Sequence, residues 1–398
     1  MVIEVSARLT RDGAVYLAGE CVQCEIVITN TGDSTDSLAW CSVQVHCQEV
    51  LNARRVRLPP AQTAARSSSA HAFWSTANKT TFAPSAEEHG RAIVSSKPNV
   101  LLCDLQLLPG ETKSYEHSEL LPEDGTPPSY RGHNVKYLYK VTVGVQHLNA
   151  PVKLIRVPFR VLRILTTAGL SKLAVDENEL SPSNPFLSSS SQSSGSTLEL
   201  FNQILDSITA VRNAHIYNIT NANGRVARLT LHKNSYKLGD DIVGEFSFEH
   251  TDVPCVEYCV SLQSEEELAD ECLAVPPEKP PTQERLPLRH VASHAVAHRV
   301  CLYHAADQLR LNIPLTVTPS FFTDTVHLRW RLHFEFVVTE RDCLGWPIDR
   351  TTEDAWLAPT DLPVETMVWD VPIKVFPCNP LNACLAVNEA KKCYTVTV

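Results

Sequence analysis

Glycine is scarce in this chain, with 14 in 398 residues, which leaves little material for the glycine-rich loops that cradle nucleotide phosphates. The short catalytic patterns GxGxxG, GxxxxGKS/T, GxSxG and HExxH are all missing. Their absence removes the familiar routes to dinucleotide binding, phosphoryl transfer, acyl transfer and zinc hydrolysis. No catalytic or cofactor-binding residues are therefore assigned, and no cofactor is expected. Positive charge is in deficit, the formal net charge being −10, so nucleic acid is not an expected partner, because neutralising phosphates takes a basic surface. No run of about 18 apolar residues occurs, the length a membrane-spanning helix needs. The opening MVIEVSARLTRDG lacks the basic-then-apolar order of a secretory signal, and a cytoplasmic protein is expected. The 13 cysteines are an odd number, and in that compartment they are expected as reduced thiols.

Alternation is abundant. In residues 134–145, NVKYLYKVTVGV, apolar Tyr137, Tyr139, Val141, Val143 and Val145 fall at every second position, the period of a half-buried β-strand. Leu328, Trp330, Leu332, Phe334 and Phe336 repeat the pattern 191 positions later, with Arg329, Arg331, His333 and Glu335 between them. The surroundings repeat in the same order. Tyr16-Leu17-Ala18-Gly19-Glu20 is matched by Tyr236-Lys237-Leu238-Gly239-Asp240, and Pro128-Ser129-Tyr130 by Pro319-Ser320-Phe321. Val157-Pro158-Phe159-Arg160-Val161 is matched by Val371-Pro372-Ile373-Lys374-Val375. The spacings between landmarks differ, as they do in a duplicated fold with unequal loops. A chain of this length also exceeds one compact core and suits two domains of about 150 to 170 residues.

An all-β protein follows, with sandwiches at 1–165 and 212–377, a linker at 166–211 and a tail at 378–398. Cys41, Val43, Val45 and Cys47 alternate with polar residues, so two cysteines are expected as small core residues. Residues 61–94, rich in serine, alanine and threonine, read as a long loop. Residues 264–289, with an acidic run and five prolines, and residues 341–363 read as surface loops. Within the linker, residues 181–197 are low-complexity and expected to be flexible. Ser196-Thr197-Leu198-Glu199 then has the form of a capping box opening a short amphipathic helix. Leu198, Phe201, Ile204, Leu205, Ile208 and Val211 line one side of it, and the chain's own sandwich is the expected partner of that side.

Three peptide motifs could carry recognition. Asn184, Pro185 and Phe186 form an NPF tripeptide in the low-complexity linker, a signal read by trafficking adaptor domains. Pro127-Pro128-Ser129-Tyr130 fits the PPxY signal of WW domains, but three of its residues coincide with the repeated landmark, so a framework role is expected. Val396-Thr397-Val398 has the form of a PDZ ligand. His290, His294 and His298 have the four-residue spacing that puts zinc ligands together on a helix. In a β-rich segment they would instead share one side of a strand about 13 Å apart, too far to share one ion. Cys21-Val22-Gln23-Cys24 is a lone CxxC. No metal site is assigned.

A duplicated sandwich with a Gly-acid turn in each half, a Pro-Ser-aromatic step before the central strand and a Val-Pro-x-basic-Val strand after it resembles the arrestin fold. Val45-His46-Cys47-Gln48, Leu101-Leu102-Cys103-Asp104-Leu105, Pro109-Gly110-Glu111, Ile216-Tyr217-Asn218-Ile219, Trp330 to Phe336 and Trp369 to Val375 resemble the reduced-growth-phenotype protein family. The resemblance implies a non-catalytic, arrestin-like subunit of a two-subunit guanine-nucleotide exchange factor. Its partners would be a large β-propeller-containing subunit and a Golgi Rab GTPase of the six class. The place implied is the cytoplasm, with peripheral recruitment to Golgi membranes in endosome-to-Golgi retrograde transport. The alternative is an arrestin-type cargo or ubiquitin-ligase adaptor, which needs Tyr130 exposed. An enzyme built on the histidines is the reading from another class, and it needs them to converge.

Overall fold

The computed structural model describes residues 3–57, 74–75, 91–123, 125–148, 150–163, 197–274, 289–344, 361–386 and 392–398. The Asn184-Pro185-Phe186 motif and most of the serine-rich linker lie outside the described residues.

The first half contributes β1 (Ile3–Leu9), β2 (Val15–Leu17), β3 (Cys21–Asn30), β4 (Asp36–Leu51), β5 (Trp74–Ser75), β6 (Arg91–Ser96) and β7 (Asn99–Leu107). It continues with β8 (Thr112–Leu120), β9 (Tyr130–Arg131), β10 (Val135–His147) and β11 (Lys153–Leu162), and helix α1 (Thr197–Ile208) follows. The second half contributes β12 (His215–Asn221), β13 (Gly224–Leu231), β14 (Ser235–Lys237), β15 (Asp241–Ser247), β16 (Cys255–Leu268) and β17 (Arg289–Val300). It ends with β18 (Ala306–Asn312), β19 (Phe321–Phe322), β20 (Val326–Thr339), β21 (Val364–Phe376), helix α2 (Pro380–Ala386) and β22 (Tyr394–Thr397).

The fold is all-β, two sandwiches of two sheets each. In the first, the sheet β22-β1-β3-β8 faces β2-β11-β10-β4-β6-β5; in the second, β12-β13-β15-β18 faces β14-β21-β20-β16-β17. Alternation decides which residues enter each core. Tyr137, Tyr139, Val141, Val143 and Val145 of β10 are buried against Ile26 and Ile28 of the facing sheet's strand β3 in one cluster, and Trp330, Leu332, Phe334 and Phe336 of β20 are buried in the other. β-Branched and aromatic side chains suit these half-buried pleated surfaces.

Hydrogen bonds explain why the landmarks occur twice. The Ser129 N–H donates to Val161 O (2.9 Å) and its hydroxyl accepts from the Val161 N–H (2.8 Å). Ser320 makes the same pair with Val375, at 2.8 and 3.2 Å. Each Pro-Ser step is thereby tied to its own Val-Pro-x-basic-Val strand. The turns opening β3 and β15 need a left-handed residue, and Gly19 and Gly239 supply it at φ 85° and 86°. The acid that follows accepts a backbone N–H inside the turn, Glu20 from Leu17 (2.7 Å) and Asp240 from Lys237 (3.0 Å).

Several expectations change. Residues 91–94 belong to β6 rather than to a loop. The acidic run Glu265-Glu266-Glu267 is the end of β16, not part of a surface loop. The last residues form β22, paired antiparallel with β1, and Val398 is 1% exposed with its N–H on Ile3 O at 2.8 Å. Val396-Thr397-Val398 is therefore built into a sheet rather than offered to a PDZ groove. β22 occupies on β1 the place that β12 occupies on β13, so the chain end completes the first sandwich. Helix α1 lays Phe201 and Leu205 into the second core, with Leu198 and Ile208 packed against it, while Ile204 and Val211 stay exposed.

Candidate functional site between the two sandwiches

The two sandwiches interlock along the segments that repeat. Tyr130 packs edge-on against Phe321 with ring centroids 4.9 Å apart, so the third residues of the two Pro-Ser-aromatic landmarks meet across the boundary. Their burial belongs to the first core, which also takes in Leu268, Cys272, Val326 and Leu328 from the second half. Val15, Leu17 and Leu162 enter the second core in return. Thr318 donates to Ser129 O (3.3 Å), and the Tyr137 and Thr323 hydroxyls are 3.2 Å apart.

Two charges complete the lock. Glu266 is 2% exposed and accepts the N–H groups of His133 (2.6 Å), Asn134 (2.9 Å) and Val135 (3.3 Å), the residues that open β10. A carboxylate buried this deeply needs partners to compensate lost hydration, and backbone donors supply them. Burial together with the nearby Glu266 carboxylate pushes the Tyr130 phenol well above its ordinary pKa, so it stays protonated. From the other side, Arg160 of β11 donates to Leu315 O (2.9 Å) and Val317 O (2.6 Å). Burial draws its pKa below the usual guanidinium value.

Between these contacts lies a cleft of about 580 Å³. His133, Arg160, Glu266, His290, His294 and Trp330 are among its walls. The His290 ring stacks on His133 with centroids 4.4 Å apart and planes 15° from parallel. His294 Nε2 lies 2.7 Å from Ser264 Oγ and its ring tilts over Trp330 at 4.7 Å. Burial lowers the His294 pKa, favouring the neutral imidazole.

The histidines do lie on a strand, but they do not share one side of it. A bulge opposite Leu262 and Gln263 reverses the alternation of β17, so His298 leaves the cleft and pairs with Glu257 at 3.1 Å. Among the described residues, no three of His, Cys, Asp and Glu are arranged to hold a metal ion. The CxxC pair is split as well. Cys21 is exposed, while Cys24 is buried and its thiol is pushed up to about 12 by desolvation. Tyr130, the tyrosine a WW domain would read, is 7% exposed and held against Phe321. Glu266 and Arg160 were not singled out as site residues by sequence reasoning. A glutamate flanked by two others gives no sign that one of the three points inward; the available signal was its place in strand register, Glu266 alternating with Glu265 and Glu267.

Fold and cleft together define a class: a duplicated all-β protein whose two sandwiches are docked through a buried carboxylate, a half-buried guanidinium and an edge-to-face pair of aromatic rings. Within that class the chain belongs to the Rgp1 family, whose model matches residues 61–175 and 170–339. It is 38% identical over 400 residues to the human protein named RAB6A-GEF complex partner protein 2, covering 96% of this chain and 97% of that one. A bovine protein of the same name is 38% identical over 410 residues, covering 99% and 98%. Among solved structures, Spo0M, a sporulation control protein from Bacillus subtilis, overlaps 63% of this chain and 80% of its own at a TM-score of 0.27 and 11% identity, a likeness that carries no argument.

Proposed function

We propose that this chain is a non-catalytic scaffold subunit of a two-subunit guanine-nucleotide exchange factor that activates a Golgi Rab GTPase of the six class in endosome-to-Golgi retrograde transport. The observation that carries the reading is the 38% identity to proteins named as RAB6A-GEF complex partners, spread over nearly the whole of both chains. The other subunit is the large, β-propeller-containing one, and the complex is a cytoplasmic assembly recruited peripherally to Golgi membranes. Exchange needs no bond-breaking chemistry: the factor binds the nucleotide-free GTPase better than the loaded one and so shifts the equilibrium toward release. An interlocked pair of arrestin-like sandwiches suits that role because it can present distant surfaces at a fixed separation. The buried Tyr130 weighs against the ubiquitin-ligase adaptor alternative.

The test is nucleotide release from a Rab of this class, followed by fluorescent GDP, with the chain alone, the large subunit alone and both together. Release at the intrinsic rate with the chain alone and acceleration with the pair is the expected outcome. Robust release by the isolated chain would overturn the scaffold assignment.

A further inference from the structure

The duplication makes an internal comparison possible, and among the described residues the two larger sheets differ at one edge. Tyr139 on β10 pairs with Cys47 on β4, which pairs with Val94 on β6. Tyr139 corresponds to Trp330, which pairs with Ser264 on β16, which pairs with Ala292 on β17. β6 and the first half of β17 are therefore equivalent strands. Beyond β6 the first sandwich carries one more strand, β5, with Ser75 opposite Ser95 and Trp74 opposite Ser96. Beyond β17 the described residues place nothing. The equivalent register positions are Ser293 and His294, so an incoming strand would begin pairing there.

Three further observations favour an added strand at that edge. β17 is twelve residues long and shows solvent a row of valines, Val291 at 41%, Val296 at 60% and Val300 at 62% exposed. The edge has no proline, and its protecting devices are limited to the bulge opposite Leu262 and Gln263 and to Arg289 and Arg299 near its two ends, which leaves the valine row between them uncovered by any described strand. Its other face bears Ala292, small enough to leave room beside it, and His290 and His294, which line the interdomain cleft. A strand seated on β17 would thus direct alternate side chains toward the cleft and the rest toward the valines. The fold also already completes a sheet this way, since β22 fills on β1 the position that β12 fills on β13.

We propose that the open edge of β17 is a docking site for an extended segment of a partner protein, added as a sixth strand outside β17 in the order β14-β21-β20-β16-β17, with apolar residues at alternate positions. The valine row takes one set of side chains. The cleft takes the other and favours an aromatic or acidic residue, because Arg131, Lys140, Arg160 and three histidines surround a single carboxylate, Glu266, that is already occupied by backbone donors. Backbone hydrogen bonds supply affinity and the two rows supply selectivity, the logic of strand addition.

The probe is a displayed library of twelve-residue peptides with valine or isoleucine at alternate positions and the remaining positions varied. Enrichment of peptides with aromatic or acidic residues in the second row, and slowed hydrogen exchange of the amides of residues 290–296 when they bind the full chain, is the expected result. Ala292→Lys and Val296→Lys should each weaken binding about tenfold by placing a charge against the incoming strand, with Val243→Lys on β15 leaving it unchanged. The exchange measurement on the unsubstituted chain stands even where a variant folds poorly. No enrichment, or protection of a different sheet edge, would overturn the proposal. Protection of the same amides by concentration-dependent self-association without peptide would also overturn it, by assigning the edge to a second copy of this chain.

Discussion

Glu266 concentrates more structural consequence than any other single side chain at the boundary, because one carboxylate satisfies three backbone donors of the other sandwich. Glu266→Gln keeps the shape but offers one acceptor oxygen, and its amide nitrogen then faces N–H groups. The expected cost is about 2 kcal/mol, the scale of charge-assisted bonds lost and donors left unpaired, read as a lower urea midpoint and faster exchange of the 133–135 amides. Tyr139→Ala and Trp330→Ala belong to the cores instead and should cost about 3 to 5 kcal/mol each, checked by the same unfolding curve. His294 gives a pH dependence with a definite sign. Its folded pKa lies below the ordinary value because of burial. As pH falls through about 6.5, the unfolded chain takes up a proton that the folded imidazole resists, so stability is lost on acidification. His117 and His327 shift the same way and His147 the opposite way. His294→Gln should therefore shrink, not abolish, the drop in melting temperature between pH 7.5 and 5.5. At this scale the sequence was a partial guide. Tyr137, Tyr139 and Trp330 announced themselves as core by alternation, whereas Glu266 was hidden because an acidic run reads as solvated until its register is known.

Strands with strong periodicity were legible as elements, and β10 and β20 are the best cases: every second residue is apolar over the whole length, so no other period competes. β22 was not legible. Four residues of mixed polarity carry too little pattern, and what makes them a strand is the free edge of β1, far away in sequence. The histidine row shows a different limit. Four-residue spacing implied one face of a strand, and that expectation fails at His298: the bulge opposite Leu262 and Gln263 inverts the face, and nothing in residues 289–300 marks where an unpaired residue will be accommodated. Helix α1 was readable from its apolar stripe, and Phe201 and Leu205 do enter the second core, while Ser196 of the expected capping box lies outside the described residues. Removing β22 tests how much the chain end contributes. A chain stopped after residue 391 uncovers the β1 edge and the Val398 site, so β1 amides should exchange faster and the first sandwich should melt earlier. A normal melting curve with unchanged β1 protection would mean the end strand is ornamental.

For the whole molecule, the decisive property is that the two sandwiches share cores across their boundary, each cluster including residues from the other half. Interfaces between domains of one chain are often loose and polar; here Tyr130 on Phe321, Glu266 on residues 133–135 and Arg160 on residues 315–317 join the halves with desolvated contacts. Such coupling should make unfolding a single cooperative transition despite the duplication, and weakening the boundary should uncouple it. The double variant Glu266→Gln, Arg160→Met removes both charged contacts while leaving each β-sandwich core intact. It should keep its far-ultraviolet dichroism, split one calorimetric transition into two, and increase its radius of gyration in solution scattering. Under the proposed function, if exchange depends on presenting both sandwiches as one rigid body, the same variant, still bound to the proposed large subunit, should stimulate nucleotide release less than the unsubstituted chain. Full stimulation by a variant with two separate transitions would show that one sandwich suffices, and would place the Rab-facing function within a single half.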